Sequence, residues 1–139
     1  MIAVNDGHIV TVSSLAGKTP CPKLVDYCAS KYAAVGLHDS LAIELRAMKK
    51  TGIQLTLVCP FFFNSGMFQG VSTRYVVPLF VTLSWKQHKL KIISSVSFIR
   101  LQPMLEQEQV AHRVVQATLR NEQEVVIPTV YNLLLRLSG

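Results

Sequence analysis

The sequence is short of charge, and shortest of acidic charge. Only 16% of its 139 residues are Asp, Glu, Lys or Arg, against 50% hydrophobic, which is too apolar for a disordered chain and sufficient for one packed domain. No acidic residue lies between Glu44 and Glu106, whereas Lys49, Lys50, Arg74, Lys86, Lys89, Lys91 and Arg100 all do. The net charge of +6 is therefore a local excess. Cysteine is scarce as well. Cys21, Cys28 and Cys59 form no C-x-x-C pair and make an odd count, which argues against a disulfide framework or a structural zinc site and fits a reducing, intracellular compartment. His8, His38, His88 and His112 show no His-Glu-x-x-His or other ligand spacing, so no metal is implied. The apolar stretches around 57–63 and 75–83 fall far short of the ~18 residues a membrane span needs. Residues 1–8 lack a basic stretch followed by an apolar core and do not read as a signal peptide. Nothing repeats at a period of roughly 20 to 50 residues, which excludes solenoids and propellers.

What is present is an alternation of strand and helix patterns. Ile9-Val10-Thr11-Val12 is a short β-branched run that reads as a buried strand. Gly17, Pro20 and Pro22 break regular structure after it. From about Val25 to Lys50, Ala34, Leu37, Leu41, Leu45 and Met48 recur at three- and four-residue spacing, which predicts an amphipathic helix. Asp26 near its start and Lys49-Lys50 near its end suit the helix dipole, and Gly52 follows as a stop. Ile53 to Cys59 predicts a second strand, ended by Pro60. A second helix is predicted over Leu105 to Arg120 from Val110, Val114, Ala117 and Thr118, and a third strand over Val125 to Pro128. Strands alternating with helices imply right-handed crossovers and a parallel sheet, the α/β class. Residues 64–104 are the least readable.

The chemistry concentrates in the first fifty residues. Tyr27 and Lys31 are four apart on the predicted helix, so they share a face and address one small volume. A free phenol, with a pKa of about 10, is a poor base at neutral pH. A neighbouring ammonium favours the phenolate and makes such a pair usable for taking a proton from an alcohol. Ser14 ends the preceding strand, and its hydroxyl can reach the same point through the intervening loop. A Tyr-x-x-x-Lys match alone arises by chance in roughly a quarter of chains this long. Its setting is more specific: it follows a strand, a serine and a loop, contains small Ala29 and Ser30, and opens a long helix. The competing reading packs Tyr27 in the core and leaves Lys31 in solvent. Cys28 reads as a small packed residue, because no histidine accompanies it in the motif.

At these residues the sequence resembles the short-chain dehydrogenase/reductase family. Gly7-His8-Ile9-Val10-Thr11-Val12-Ser13-Ser14-Leu15-Ala16-Gly17 is similar to the strand carrying that family's catalytic serine. Tyr27-Cys28-Ala29-Ser30-Lys31-Tyr32-Ala33-Ala34-Val35-Gly36 is similar to its tyrosine helix. The place of Ser14, three residues before Gly17, selects it over Ser13. The resemblance implies that Tyr27 is the general acid/base, that Lys31 favours its phenolate and holds the nicotinamide ribose, and that Ser14 positions the substrate oxygen. After the second strand, Pro60-Phe61-Phe62-Phe63-Asn64-Ser65 stands where the family usually shows Pro-Gly-x-x-x-Thr. Phe61 replaces the glycine and Ser65 the threonine, a pattern that looks like the epidermal retinol dehydrogenase and 17β-hydroxysteroid dehydrogenase branch. By resemblance, Pro60 and Ser65 help bind NAD or NADP, and the substrate is a lipid alcohol or ketone such as retinol or a hydroxysteroid. Phe61 to Phe63 read equally as core packing and as substrate lining.

The family's glycine-rich phosphate loop is not in this sequence, where no two glycines are separated by a single residue. The residue that reads the adenosine ribose and the asparagine before the serine strand are also missing. The expected fold is therefore the C-terminal half of a Rossmann-type doubly wound parallel sheet. Residues 1–80 are the catalytic strand-helix-strand part, 81–102 a divergent basic insertion, and 103–139 the last helix and strand. Such a half leaves one strand with an open edge, which predicts poor solubility or dependence on a partner, another copy or a full-length relative. Without the phosphate loop, the nicotinamide would not be placed for hydride transfer. The alternative to an oxidoreductase is thus a non-catalytic fragment that associates with a full-length relative. Residues 81–102 read as an unselected insertion or as a segment for peripheral membrane association. Nucleic acid is not expected as a partner, because no recognised motif accompanies the charge. The resemblance places the protein on the cytoplasmic side, at the endoplasmic reticulum membrane or a lipid droplet.

Overall fold

The computed structural model describes residues 1–20, 24–65, 105–129, 131 and 132. Three strands, β1 (Gly7–Val12), β2 (Ile53–Pro60) and β5 (Glu124–Ile127), form a parallel sheet in the order β1-β2-β5. Gly7 to Val12 pair in register with Ile53 to Val58, and Leu57 to Pro60 with Glu124 to Ile127. A second, two-stranded parallel sheet pairs β3 (Phe63–Asn64) with β4 (Leu105–Glu106). The helix α1 (Val25–Ala47) lies between β1 and β2 in the chain, and α2 (Gln107–Leu119) runs into β5. The divergent basic insertion expected over residues 81–102 lies outside the described residues.

Successive strand residues point to opposite faces, so β2 and β5 each build two cores. On one face Leu57, Cys59 and Val126 pack with Leu15 and Tyr131 and against Val35 of α1. On the other, Val58, Val125 and Ile127 pack with Val110 and Ala117 of α2. One helix on each face of a parallel sheet is the doubly wound α/β arrangement expected from the sequence. Leu57, Val58, Cys59, Val125 and Val126 are almost wholly buried. A central strand covered on both sides needs such a continuous apolar run. Burying each large aliphatic side chain contributes about 1.5–3 kcal/mol.

Two details of α1 differ from the pattern read in the sequence. Leu37 is 69% exposed, and its neighbour His38 takes the buried position instead, 6% exposed. A polar ring is tolerated there because its Nδ1 lies 3.0 Å from Thr11 Oγ1. The helix also stops before Gly52. Met48 caps it and Lys49 adopts a left-handed φ of 55°, while the Lys50 N–H donates to the Leu45 carbonyl at 2.9 Å. Gly52 serves a different need: a side chain there would collide with the backbone of Asn5. At the start of α2, the Gln109 side chain accepts from the Glu106 N–H at 3.0 Å, satisfying a donor that the helix itself cannot.

Candidate active site

The C-terminal end of β1 does not stop at Val12. The Ser13 N–H donates to the Val58 carbonyl at 2.8 Å, carrying the ladder one residue further and fixing both serines at the strand tip. Ser14 is extended, and its side chain caps a 3-10 turn, Leu15–Gly17, by accepting from the Ala16 N–H at 3.2 Å. The same hydroxyl donates to the Pro60 carbonyl at 3.3 Å. Ser14 thus spans the ends of β1 and β2, and its proton rests on a weak, long bond that a substrate oxygen can displace.

The first two turns of α1 supply the other polar groups. The Lys31 ammonium sits 5.6 Å from the centre of the Tyr27 ring, within reach of a cation–π attraction. Tyr27 packs beside Ala16, Cys28, Leu24, Phe61 and Phe62, which fixes the ring while both residues stay half-buried. Ser30 Oγ donates to the Tyr27 carbonyl at 2.7 Å.

Ser14, Tyr27, Lys31, Pro60 and Ser65 all line one cavity of about 600 Å³. Every site residue expected from the sequence therefore borders the same cavity. Much of the remaining lining is apolar: Val12, Leu15, Leu24, Val58, Phe61, Phe62, Phe63, Val110 and Val114. All three phenylalanines both pack and line the cavity. Phe61 packs 4.7 Å from Tyr131 and 4.8 Å from Phe62, and its N–H donates to the Ile127 carbonyl at 2.7 Å. Phe63 packs against the Val58 and Val110 core.

Val110 and Val114 were not legible as site residues, since they arrive from α2, far along the chain. Their only signal was the apolar face of that helix. Behind the cavity, burial pushes the Cys59 thiol up to about 11 and the Tyr131 phenol up to about 12. Neither group is available as a nucleophile or base near neutral pH. Among the described residues, no group of three or more His, Cys, Asp or Glu could hold a metal ion, and no helix is long and apolar enough to cross a membrane.

The residues fit one end of a nicotinamide cofactor. A hydroxyl pair, an ammonium and Ser65 line a cavity large enough for a ring and its ribose. These 139 residues contain no Gly-x-Gly turn of the kind that holds a pyrophosphate.

A parallel sheet wound on both faces, with a serine at a strand tip and a Tyr-x-x-x-Lys pair opening the next helix, defines a class of dehydrogenase. The short chain dehydrogenase family model matches residues 1–75, and the chain belongs to that family. It is 36% identical over 137 residues to 17-beta-hydroxysteroid dehydrogenase 13 of Homo sapiens, covering 99% of this chain and 37% of the relative. Over 74 residues it is 53% identical to epidermal retinol dehydrogenase 2 of Mus musculus, covering 53% of this chain and 24% of the relative. Among solved structures, a short chain dehydrogenase/reductase from Burkholderia phymatum in complex with NAD shares the fold with a TM-score of 0.65 at 20% identity, over 99% of this chain and 48% of that chain. These relatives agree with the retinol and hydroxysteroid dehydrogenase branch suggested by Pro60 to Ser65. The chain spans little more than a third of the length of the first of them.

Proposed function

We propose that this chain carries the catalytic half of an oxidoreductase acting on the CH–OH group of a lipid alcohol, retinol or a hydroxysteroid, with NAD or NADP. The observation that carries the reading is the single cavity shared by Ser14, Tyr27, Lys31, Pro60 and Ser65, with apolar walls around them. In oxidation, the substrate oxygen accepts from the Ser14 hydroxyl and its own proton passes to the Tyr27 phenolate oxygen. The Lys31 ammonium favours the phenolate that receives it. A bound nicotinamide would supply the acceptor for the hydride leaving the alcohol carbon; Lys31 and Tyr27 would hold its ribose, and Pro60 and Ser65 would help bind it. Phe61, Phe62, Val110 and Val114 exclude water and favour an apolar substrate body.

The test joins this chain to the N-terminal half of human 17-beta-hydroxysteroid dehydrogenase 13, which restores a phosphate-binding turn. The joined protein is expected to oxidise retinol or a steroid alcohol, and Tyr27→Phe to abolish it; a folded, NAD-binding fusion without turnover would refute the reading. The chain alone is expected to show no measurable retinol oxidation. Turnover by the chain alone that Tyr27→Phe removes would show that the phosphate turn is dispensable.

One observation favours a second reading, a non-catalytic partner of a full-length relative. Among the described residues β1 pairs only with β2, and Val10 and Val12, on the face that α2 covers elsewhere, are 36% and 58% exposed. An unpaired edge beside exposed valines invites another strand. Absence of co-purification with full-length 17-beta-hydroxysteroid dehydrogenase 13 would remove this reading. Peripheral attachment to the endoplasmic reticulum membrane or a lipid droplet is part of the proposal only for the lipid-alcohol function.

A further inference from the structure

The two adjacent serines at the tip of β1 both border the cavity, but their hydroxyls have different partners. Ser14 Oγ donates to the Pro60 carbonyl, whereas Ser13 is 4% exposed and its hydroxyl donates to the backbone carbonyl of Lys31 at 2.9 Å. That bond joins the end of β1 to the helical turn bearing Tyr27 and Lys31. In an α-helix the Lys31 carbonyl already accepts from the N–H four residues on, so the Ser13 bond adds nothing to the helix. It fixes where the helix lies.

Gly17 meets the same carbonyl from the other side of the turn. A Cβ on Gly17 would stand 2.6 Å from the Lys31 carbonyl oxygen and 2.6 Å from Ser13 Oγ. The turn after β1 is therefore seated directly on the backbone of Lys31, with one hydrogen bond and one side-chain-free contact. Ser14 belongs to the same rigid segment, tied by its own bonds to Ala16 and Pro60. Beside the packing of Ala16 on Cys28 and Tyr27, a single backbone oxygen thus ties the Ser14 segment to the turn bearing Tyr27 and Lys31.

We propose that Ser13 is a positioning residue: its bond to the Lys31 carbonyl holds the Tyr27 and Lys31 turn of α1 in place against Ser14. What that placement serves rests on the function proposed above. The bond itself does not. Since a displacement of about 1 Å can cost about a hundredfold in rate, a clamp on the backbone matters as much as the groups it aligns.

The experiment is NMR on the chain in three variants, Ser13→Ala, Ser13→Cys and Ser13→Thr. It reads the Lys31 carbonyl carbon shift and the cross-peaks between the Lys31 side chain and the Tyr27 ring, with Val58 to Val125 contacts as the fold control. Ser13→Ala is expected to move the carbonyl shift and weaken or lose the Lys31 to Tyr27 cross-peaks while the control contacts persist. Ser13→Thr, which keeps the hydroxyl, is expected to retain both signals. A folded Ser13→Ala protein with wild-type signals would overturn the proposal. If Ser13→Ala does not fold, Ser13→Cys decides: it keeps the bulk with a weak donor, so changed signals support the clamp and unchanged signals overturn it. In the turnover-competent fusion, Ser13→Ala is expected to lower kcat by about tenfold to a hundredfold with KM little changed, and Ser13→Thr to recover it. A fusion without turnover would count against the proposed function alone, because the NMR signals do not depend on activity.

Discussion

The Thr56 hydroxyl donates to the carbonyl oxygen of Glu122 at 2.7 Å, tying the middle of β2 to the turn that feeds β5. With its one proton committed there, Thr56 Oγ1 accepts from His8 Nε2, 2.8 Å away on β1. A wholly buried side chain thus links all three strands of the sheet. Thr56→Val keeps the shape and leaves the Glu122 carbonyl and the His8 N–H without this partner. The expected cost is about 1–3 kcal/mol, read as a lower urea midpoint with an unchanged slope.

His38 gives the fold a pH dependence. Burial holds its pKa below the ordinary value, opposed by the charges of Asp39 and Glu124 and reinforced by Lys18. The unfolded chain therefore binds the proton more readily than the folded one. The contribution is full above about pH 6.5, the unperturbed histidine value, and is lost as pH falls below it and through the folded value. Urea midpoints between neutral and mildly acidic pH are expected to decline in the wild type. His38→Gln should flatten that part of the profile; an unchanged slope would show that another group is responsible.

Cys59 is wholly buried, with its thiol pushed up to about 11. Thiolate is the reactive species, so Cys59 is expected to resist iodoacetamide at pH 8 in the folded chain and to react once the chain is denatured. Peptide mapping by mass spectrometry before and after denaturant measures this. Rapid labelling in the folded chain would contradict the packing between β2 and α1.

Leu37 and Leu45 lie on one helix at the same periodic spacing, yet one is 69% and the other 4% exposed. Leu45→Ala is expected to cost about 2–5 kcal/mol, and Leu37→Ala to stay within about 0.5 kcal/mol. Chemical denaturation of the two variants separates the outcomes. Equal losses would mean that α1 is rotated about its axis or that another surface covers Leu37.

Much of this was written in local patterns. The β-branched runs at Ile9 to Val12 and Ile53 to Cys59 became strands β1 and β2, each a little longer than read. β2 is buried as an apolar central strand should be, whereas β1, read as buried, stays half-exposed, with Val12 58% exposed, because it pairs on one side only among the described residues. A helix over about Val25 to Lys50 was legible from its period, three residues longer than the observed Val25–Ala47, and its rotation was not. The choice between Leu37 and His38 depends on Thr11, which lies on another strand and is invisible to helical spacing. Gly52 looked like a helix stop because glycine commonly ends helices, but the close approach of Asn5 explains it and Lys49 ends the helix instead.

The sequence by itself determined the class of fold and the family, because alternating strand and helix periods and the Ser14, Tyr27 and Lys31 spacing are local and chemically specific. It also determined that no glycine-rich phosphate turn is present in these 139 residues. Only the tertiary structure decided that Ser14, Tyr27, Lys31, Pro60 and Ser65 share one cavity, that Val110 and Val114 help wall it, and that Ser13 bonds to Lys31. Those relations join residues distant in the chain, and they exist only once β1, β2 and α1 have paired and packed, which no local pattern encodes.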